Sequence, residues 1–82
     1  MPALVSIYME KPGNGLRPLS HLSIYDKNPG FAVEEVVGDI DGSGYRRGTI
    51  VTIASGLSRD DAEQRYQEAI REREAQGFRP AR

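Results

Sequence analysis

The strongest constraint on the fold lies in the second half of the chain, where a single stretch carries helix signals from cap to stop. Ser58 followed three residues later by Asp61 resembles a capping box, with Asp in the acceptor role usually held by Glu or Gln. Leu57 and Ala62 stand where a hydrophobic staple would put them. Asp60 and Asp61 suit the positive end of the helix dipole. Ala62, Tyr66, Ala69 and Ile70 follow the i, i+4, i+7, i+8 spacing of a helix with one buried stripe. Arg65 with Glu68, and Arg71 with Glu74, are i,i+3 pairs on an otherwise solvated face, worth about a few tenths of a kcal/mol each. Gly77 is the expected stop, Phe78 folds back on the last turn, and Pro80 prevents resumption. Residues 79–82 are then expected to fray.

A helix with one apolar stripe needs one partner layer, and the first half of the chain supplies it. In "LVSIYM" (Leu4 to Met9), Val5, Ile7 and Met9 fall on one face and Leu4, Ser6 and Tyr8 on the other. "LSHLSIYD" (Leu19 to Asp26) alternates again, with Ser20, Leu22 and Ile24 set against Leu19, His21, Ser23 and Tyr25. "KPGNG" (Lys11 to Gly15) and "KNPG" (Lys27 to Gly30) are dense turn chemistry between these runs. "FAVEEVV" (Phe31 to Val37) reads as a third strand, although Glu34 and Glu35 break the alternation and invite a bulge or a helical turn. "TIVTIA" (Thr49 to Ala54) is the clearest strand. The order predicts one α+β domain over residues 1–82, a small antiparallel sheet of about four strands with one C-terminal helix packed on one face. One helix cannot cover both faces. Binding is therefore expected on the uncovered face or on the loops at the edge of the sheet.

Composition narrows the function classes. A chain of 82 residues buries roughly 60–65% of the surface it exposes when unfolded, enough for one modest core and not for an enclosed active site. There is no cysteine, hence no disulfide framework and no thiolate metal site. No apolar run has the length of a membrane span or a signal-peptide core, and the expectation is a soluble, cytoplasmic protein with no membrane partner. Eleven Lys and Arg stand against twelve Asp and Glu, a net charge of −1. Proteins held to nucleic acid mainly by charge are usually strongly basic, so any such contact has to be a local patch.

The stretch "GDIDGSGYRRG" (Gly38 to Gly48) is the most singular in the chain. Asp39, Asp41, Ser43 and Gly44 match the first, third, fifth and sixth positions of a calcium loop. The match then fails, because the twelfth position is Ile50 and not Glu, and Arg46 and Arg47 occupy the eighth and ninth. No phosphate-loop motif is present. The plain reading is a connection between strands, with Gly42 and Gly44 at positive φ and with Asp39, Asp41 and Ser43 making local turns. The functional reading lies in Tyr45, Arg46 and Arg47, an aromatic beside two guanidinium groups able to stack on a base and hold phosphate. Catalysis finds no set of residues. His21 lies in a strand pattern, Glu34 and Glu35 point to opposite faces if extended, and no catalytic residue, metal ligand or cofactor is assigned.

With these elements placed, the C-terminal half resembles a WGR domain. "VGDIDGSGYRRG" occupies the place of that family's glycine segment, "TIVTIASGLSRDDA" that of its strand and helix start, and "YQEAIREREAQGF" that of its helix and aromatic close. The resemblance implies a small sheet with a helix across it and a role near nucleic acid or inside nucleic-acid enzymes. Of the Trp-Gly-Arg signature only Gly38 is kept, flanked by Val37 and Asp39. The expectation is a non-enzymatic binding module that engages nucleic acid or a nucleoprotein through Tyr45, Arg46 and Arg47. The alternative is a small protein–protein interaction module that uses the uncovered sheet face, such as a phage or plasmid protein docking on a host enzyme.

Overall fold

The computed structural model describes residues 2–44 and 46–81, with Arg46 described by its backbone alone. Five strands and one helix follow in the order β1 (Val5–Glu10), β2 (Arg17–Asp26), β3 (Phe31–Ile40), β4 (Arg46–Leu57), α1 (Arg59–Ala75) and β5 (Arg79–Pro80). The sheet runs β4-β3-β2-β1-β5, with every neighbouring pair antiparallel. The first four strands form a meander, and α1 lies across one face of it. This is the expected α+β architecture, with one strand more than expected.

The helix ends are built as their residues require. Ser58 Oγ accepts the N–H of Asp61 at 3.1 Å. At the other end Phe78 N–H donates to Arg73 O and Gly77 N–H to Glu74 O, each at 3.0 Å. These two bonds make a Schellman motif, and Gly77 takes the φ of +104° that the motif demands. Phe78 is buried beyond it. The next residues do not fray as expected. Met9 pairs with Pro80 and Glu10 with Arg79, and Ala81 N–H donates to Tyr8 O at 2.9 Å. The Schellman turn reverses the chain onto the outer edge of β1, so the stop signal also starts a short edge strand.

The core lies between α1 and the covered face. Leu22, Ile24 and Val33 of the sheet meet Ala62, Tyr66 and Ala69 of the helix, with Ile7, Phe31, Ile53, Leu57 and Ile70 packed around them. The bulge expected near Glu34 and Glu35 is present, but β4 carries the extra residues. From Phe31 to Glu34 β3 advances three residues, while its partner runs five, from Leu57 to Thr52. The extra residues fall between Thr52 and Leu57, where "ASG" supplies small residues and Gly56 takes a φ of +66°. Glu34 and Glu35 then alternate as an extended strand should, with Glu35 buried and Glu34 at the surface margin.

The helix forms an ion pair across to the sheet. Among the described residues neither Arg65–Glu68 nor Arg71–Glu74 comes within ion-pair distance. Arg73 instead reaches Glu35 with Nε to Oε2 and Nη2 to Oε1, both at 2.8 Å. Ser20 Oγ donates to Glu35 Oε2 at 2.5 Å. A fork-to-fork guanidinium–carboxylate pair is the strongest side-chain contact of its kind, and it fixes the helix's last turn over the centre of the sheet.

Candidate binding surface

The glycine-rich stretch is less a loop than a continuation of the sheet. β3 runs on through Gly38 and Asp39 to Ile40, and β4 resumes at Arg46, so Arg46 and Arg47 are strand residues and not loop residues. Gly38 pairs with Gly48. A Cβ on Gly38 would fall 1.7 Å from the carbonyl oxygen of Arg47, and one on Gly48 would fall 2.5 Å from Val36 Cγ1. These two glycines are needed because the strands approach too closely for a side chain. In the turn itself Asp41 Oδ1 accepts from Ser43 N–H at 2.9 Å and from Ser43 Oγ at 2.6 Å, and Gly44 N–H donates to Asp41 O at 3.0 Å. Gly44 has a φ of +87°, whereas Gly42 does not take the positive φ expected of it. Asp39 makes no turn, because it sits in β3.

The three residues expected to contact nucleic acid fare differently. Tyr45 lies outside the described residues, and so does the side chain of Arg46. Arg47 is exposed and pairs across the ladder with Asp39. It lines a shallow depression of about 170 Å³ together with Leu16, Asp39 and Asp41. Two carboxylates in that lining oppose an anionic ligand. Arg17, at the same end of the sheet, bonds Glu10 Oε1 and Gly15 O, each at 3.1 Å. The cations of this end are thus interleaved with carboxylates. Asp39 and Asp41 do not converge as calcium ligands either, since Asp41 is engaged by Ser43 and Asp39 is held in the strand. Among the described residues no group of three or more His, Asp or Glu is placed to hold a metal.

The open face carries a second feature. Tyr8 pairs with His21, His21 with Val36, and Val36 with Ile50, so the four residues form one row across four strands. All four point away from the helix, because Ile7, Leu22 and Glu35, which precede or follow them, point toward it. The rings of Tyr8 and His21 meet edge to face at 5.7 Å and 62°. Ile50 is 69% exposed. The next row is polar and consists of Ser6, Ser23, Glu34 and Thr52. Tyr25 stands beyond it on the same face, with Lys27 Nζ 5.0 Å from its ring centre and Lys27 bonded to Glu34 at 3.2 Å. The alternation in "LVSIYM" and "LSHLSIYD" already separates Tyr8, His21 and Tyr25 from the core. What it lacks is the pairing between strands, which alone joins them to Val36 and Ile50 in one row.

No protein-family model, curated protein or solved structure matches the chain. Among the described residues no helix is long and apolar enough to cross a membrane.

Proposed function

We propose that the chain is a non-enzymatic binding module that holds a protein partner on its open sheet face. The observation that carries this reading is the row Tyr8–His21–Val36–Ile50, apolar and aromatic, exposed at one end and bordered by a polar row. An apolar centre with a polar rim is the composition of a protein interface. A charge-driven ligand would ask for the opposite. The test is capture of partners from a lysate with nuclease present, comparing the wild-type chain with the pair His21→Ala, Tyr25→Ala. A partner retained after nuclease and lost from the variant supports the reading. A partner held equally by both would rule out the open face.

A nucleic-acid contact at Tyr45, Arg46 and Arg47 is the second reading. One observation favours it: the register Arg17–Ile40–Arg46 brings the backbone positions of two basic residues to the same end of the sheet. The WGR resemblance points the same way. Fluorescence anisotropy with duplex DNA, single-stranded DNA and RNA at about 50 and 200 mM salt tests it. Salt-dependent binding that weakens in Arg46→Ala, Arg47→Ala would place nucleic acid ahead of protein as the ligand.

A further inference from the structure

The two edges of the sheet are built differently. On one side the sheet ends in β5, two residues long, of which one is Pro80 and the other is Arg79. A very short strand with a proline and a charge is a guarded edge. On the other side it ends in β4, twelve residues long, with no further strand beyond it among the described residues. From Gly48 to Leu57 this edge carries no charge and no proline. Thr49, Ile50, Val51 and Thr52 are exposed along it. A long, β-branched and uncharged edge is a template for pairing with another strand.

We infer that a second copy of this chain pairs antiparallel along β4, joining two five-stranded sheets into one. The stretch of β4 in unbroken register with β3 runs from Arg46 to Thr52, and beyond it the bulge turns the edge away. The midpoint of that stretch is Thr49. A two-fold axis through Thr49 sets Arg46 opposite Thr52, Arg47 opposite Val51 and Gly48 opposite Ile50. No arginine meets an arginine, so the register is free of like-charge pairs. Ile50, the most exposed residue of the row, faces a glycine on the partner copy and has room to lie over it. The row of each copy that ends in Ile50 meets Gly48 of the other, and both helices fall on the same side of the joined sheet. This pairing uses the edge and not the face, and it stands whether or not the open face holds a protein.

The test reads the oligomeric state of the isolated chain by sedimentation equilibrium at concentrations around 100 µM, where an interface with a micromolar Kd is largely occupied. A dimer is expected. Because the chain has no cysteine, Thr49→Cys is the sole thiol, and a residue on the two-fold axis is expected to cross-link to its own copy under mild oxidation. Charge at position 52 gives opposite signs. Thr52→Lys sets a lysine against Arg46 of the other copy at two symmetric places, and Thr52→Glu sets a glutamate there. Cross-strand charge pairs predict that Kd rises in the first and falls in the second, each by about 2- to 30-fold. Within one copy Thr52 pairs with Glu34, so Thr52→Lys leaves the monomer's fold intact, checked by circular dichroism. A monomer at 100 µM, a dimer without the Thr49→Cys cross-link, or the same Kd for both variants at position 52 overturns the inference.

Discussion

The two faces of the sheet carry the reverse of what their surroundings suggest. The covered face holds a charge. Glu35 is 4% exposed beneath α1, ligated by Arg73 and Ser20. The open face holds a half-buried aromatic and apolar row that ends in an exposed Ile50. Each oddity has its own reason. Glu35 is explained within the chain, because Arg73 arrives on the helix to meet it, and the pair sets where the helix's last turn sits. The row from Tyr8 to Ile50 is not explained in the same way, since among the described residues no helix or strand packs over it. A buried charge that finds its partner is architecture. An apolar row that ends in an exposed Ile50 is what the proposed partner would cover.

A large effect is expected from breaking the pair on the covered face. Arg73→Ala leaves the Glu35 carboxylate buried with Ser20 as its remaining side-chain donor. The expected loss is about 3 kcal/mol, at the low end of the range for broken buried pairs because the Arg73 side chain is 21% exposed. Urea unfolding measures it as a drop in midpoint at constant slope. The double change Glu35→Gln, Arg73→Met removes both charges together and is expected to restore most of the loss. A single-variant loss under about 0.5 kcal/mol would make the pair an ordinary surface contact, and the contrast between the faces would fall.

A smaller effect follows in pH. Burial pushes the Glu35 carboxyl up, but the Arg73 and Ser20 hydrogen bonds and the Arg73 charge outweigh it and hold the group below its ordinary 4.5. The folded value lies below the unfolded one, so as pH falls the unfolded chain takes the proton first. The pair's contribution is therefore fully present above about pH 4.5 and is lost as pH falls through the folded value. Midpoints measured between pH 7 and pH 3 are expected to fall more steeply for wild type than for Glu35→Gln, Arg73→Met. Parallel curves would show that Glu35 titrates alike in the folded and unfolded chain.

Much of this fold was legible in the residues, and the gaps have physical causes. The helix was readable at both ends because Ser58, Gly77 and Phe78 act locally, within one turn. Strand faces were readable because alternation is local too. Three things depended on pairing between distant residues and could not be read this way. The segment from Gly38 to Gly48 looks like one loop because glycines signal turns, yet Gly38 and Gly48 are there for each other across the ladder. Arg79 and Pro80 look like a tail because nothing nearby shows that β1 has an unfilled edge. Glu35 and Arg73 are 38 positions apart, and each taken alone reads as a surface charge. The expected site depends on register in the same way. Arg46 and Arg47 look like an exposed basic pair in sequence, and only the register sets Asp39 opposite Arg47.

The smallest expected effect is also the one that sharpens the contrast most. His21 and Leu22 are neighbours in β2 and point to opposite faces. Leu22 is wholly buried under the helix, and Leu22→Ala is expected to cost about 2–5 kcal/mol through lost burial and the cavity left behind. His21→Ala gives up an edge-to-face contact with Tyr8 and little else, so about 0.5 kcal/mol is expected. The two variants differ by one position and share a backbone, and urea unfolding compares them directly. If His21→Ala proves as costly as Leu22→Ala, the row is a second core that stabilises the chain by itself, and its exposure needs no partner. If its cost is small while capture of the partner is lost, then the residues of this face are spent on binding. Stability and function would then be divided between the two faces of one sheet.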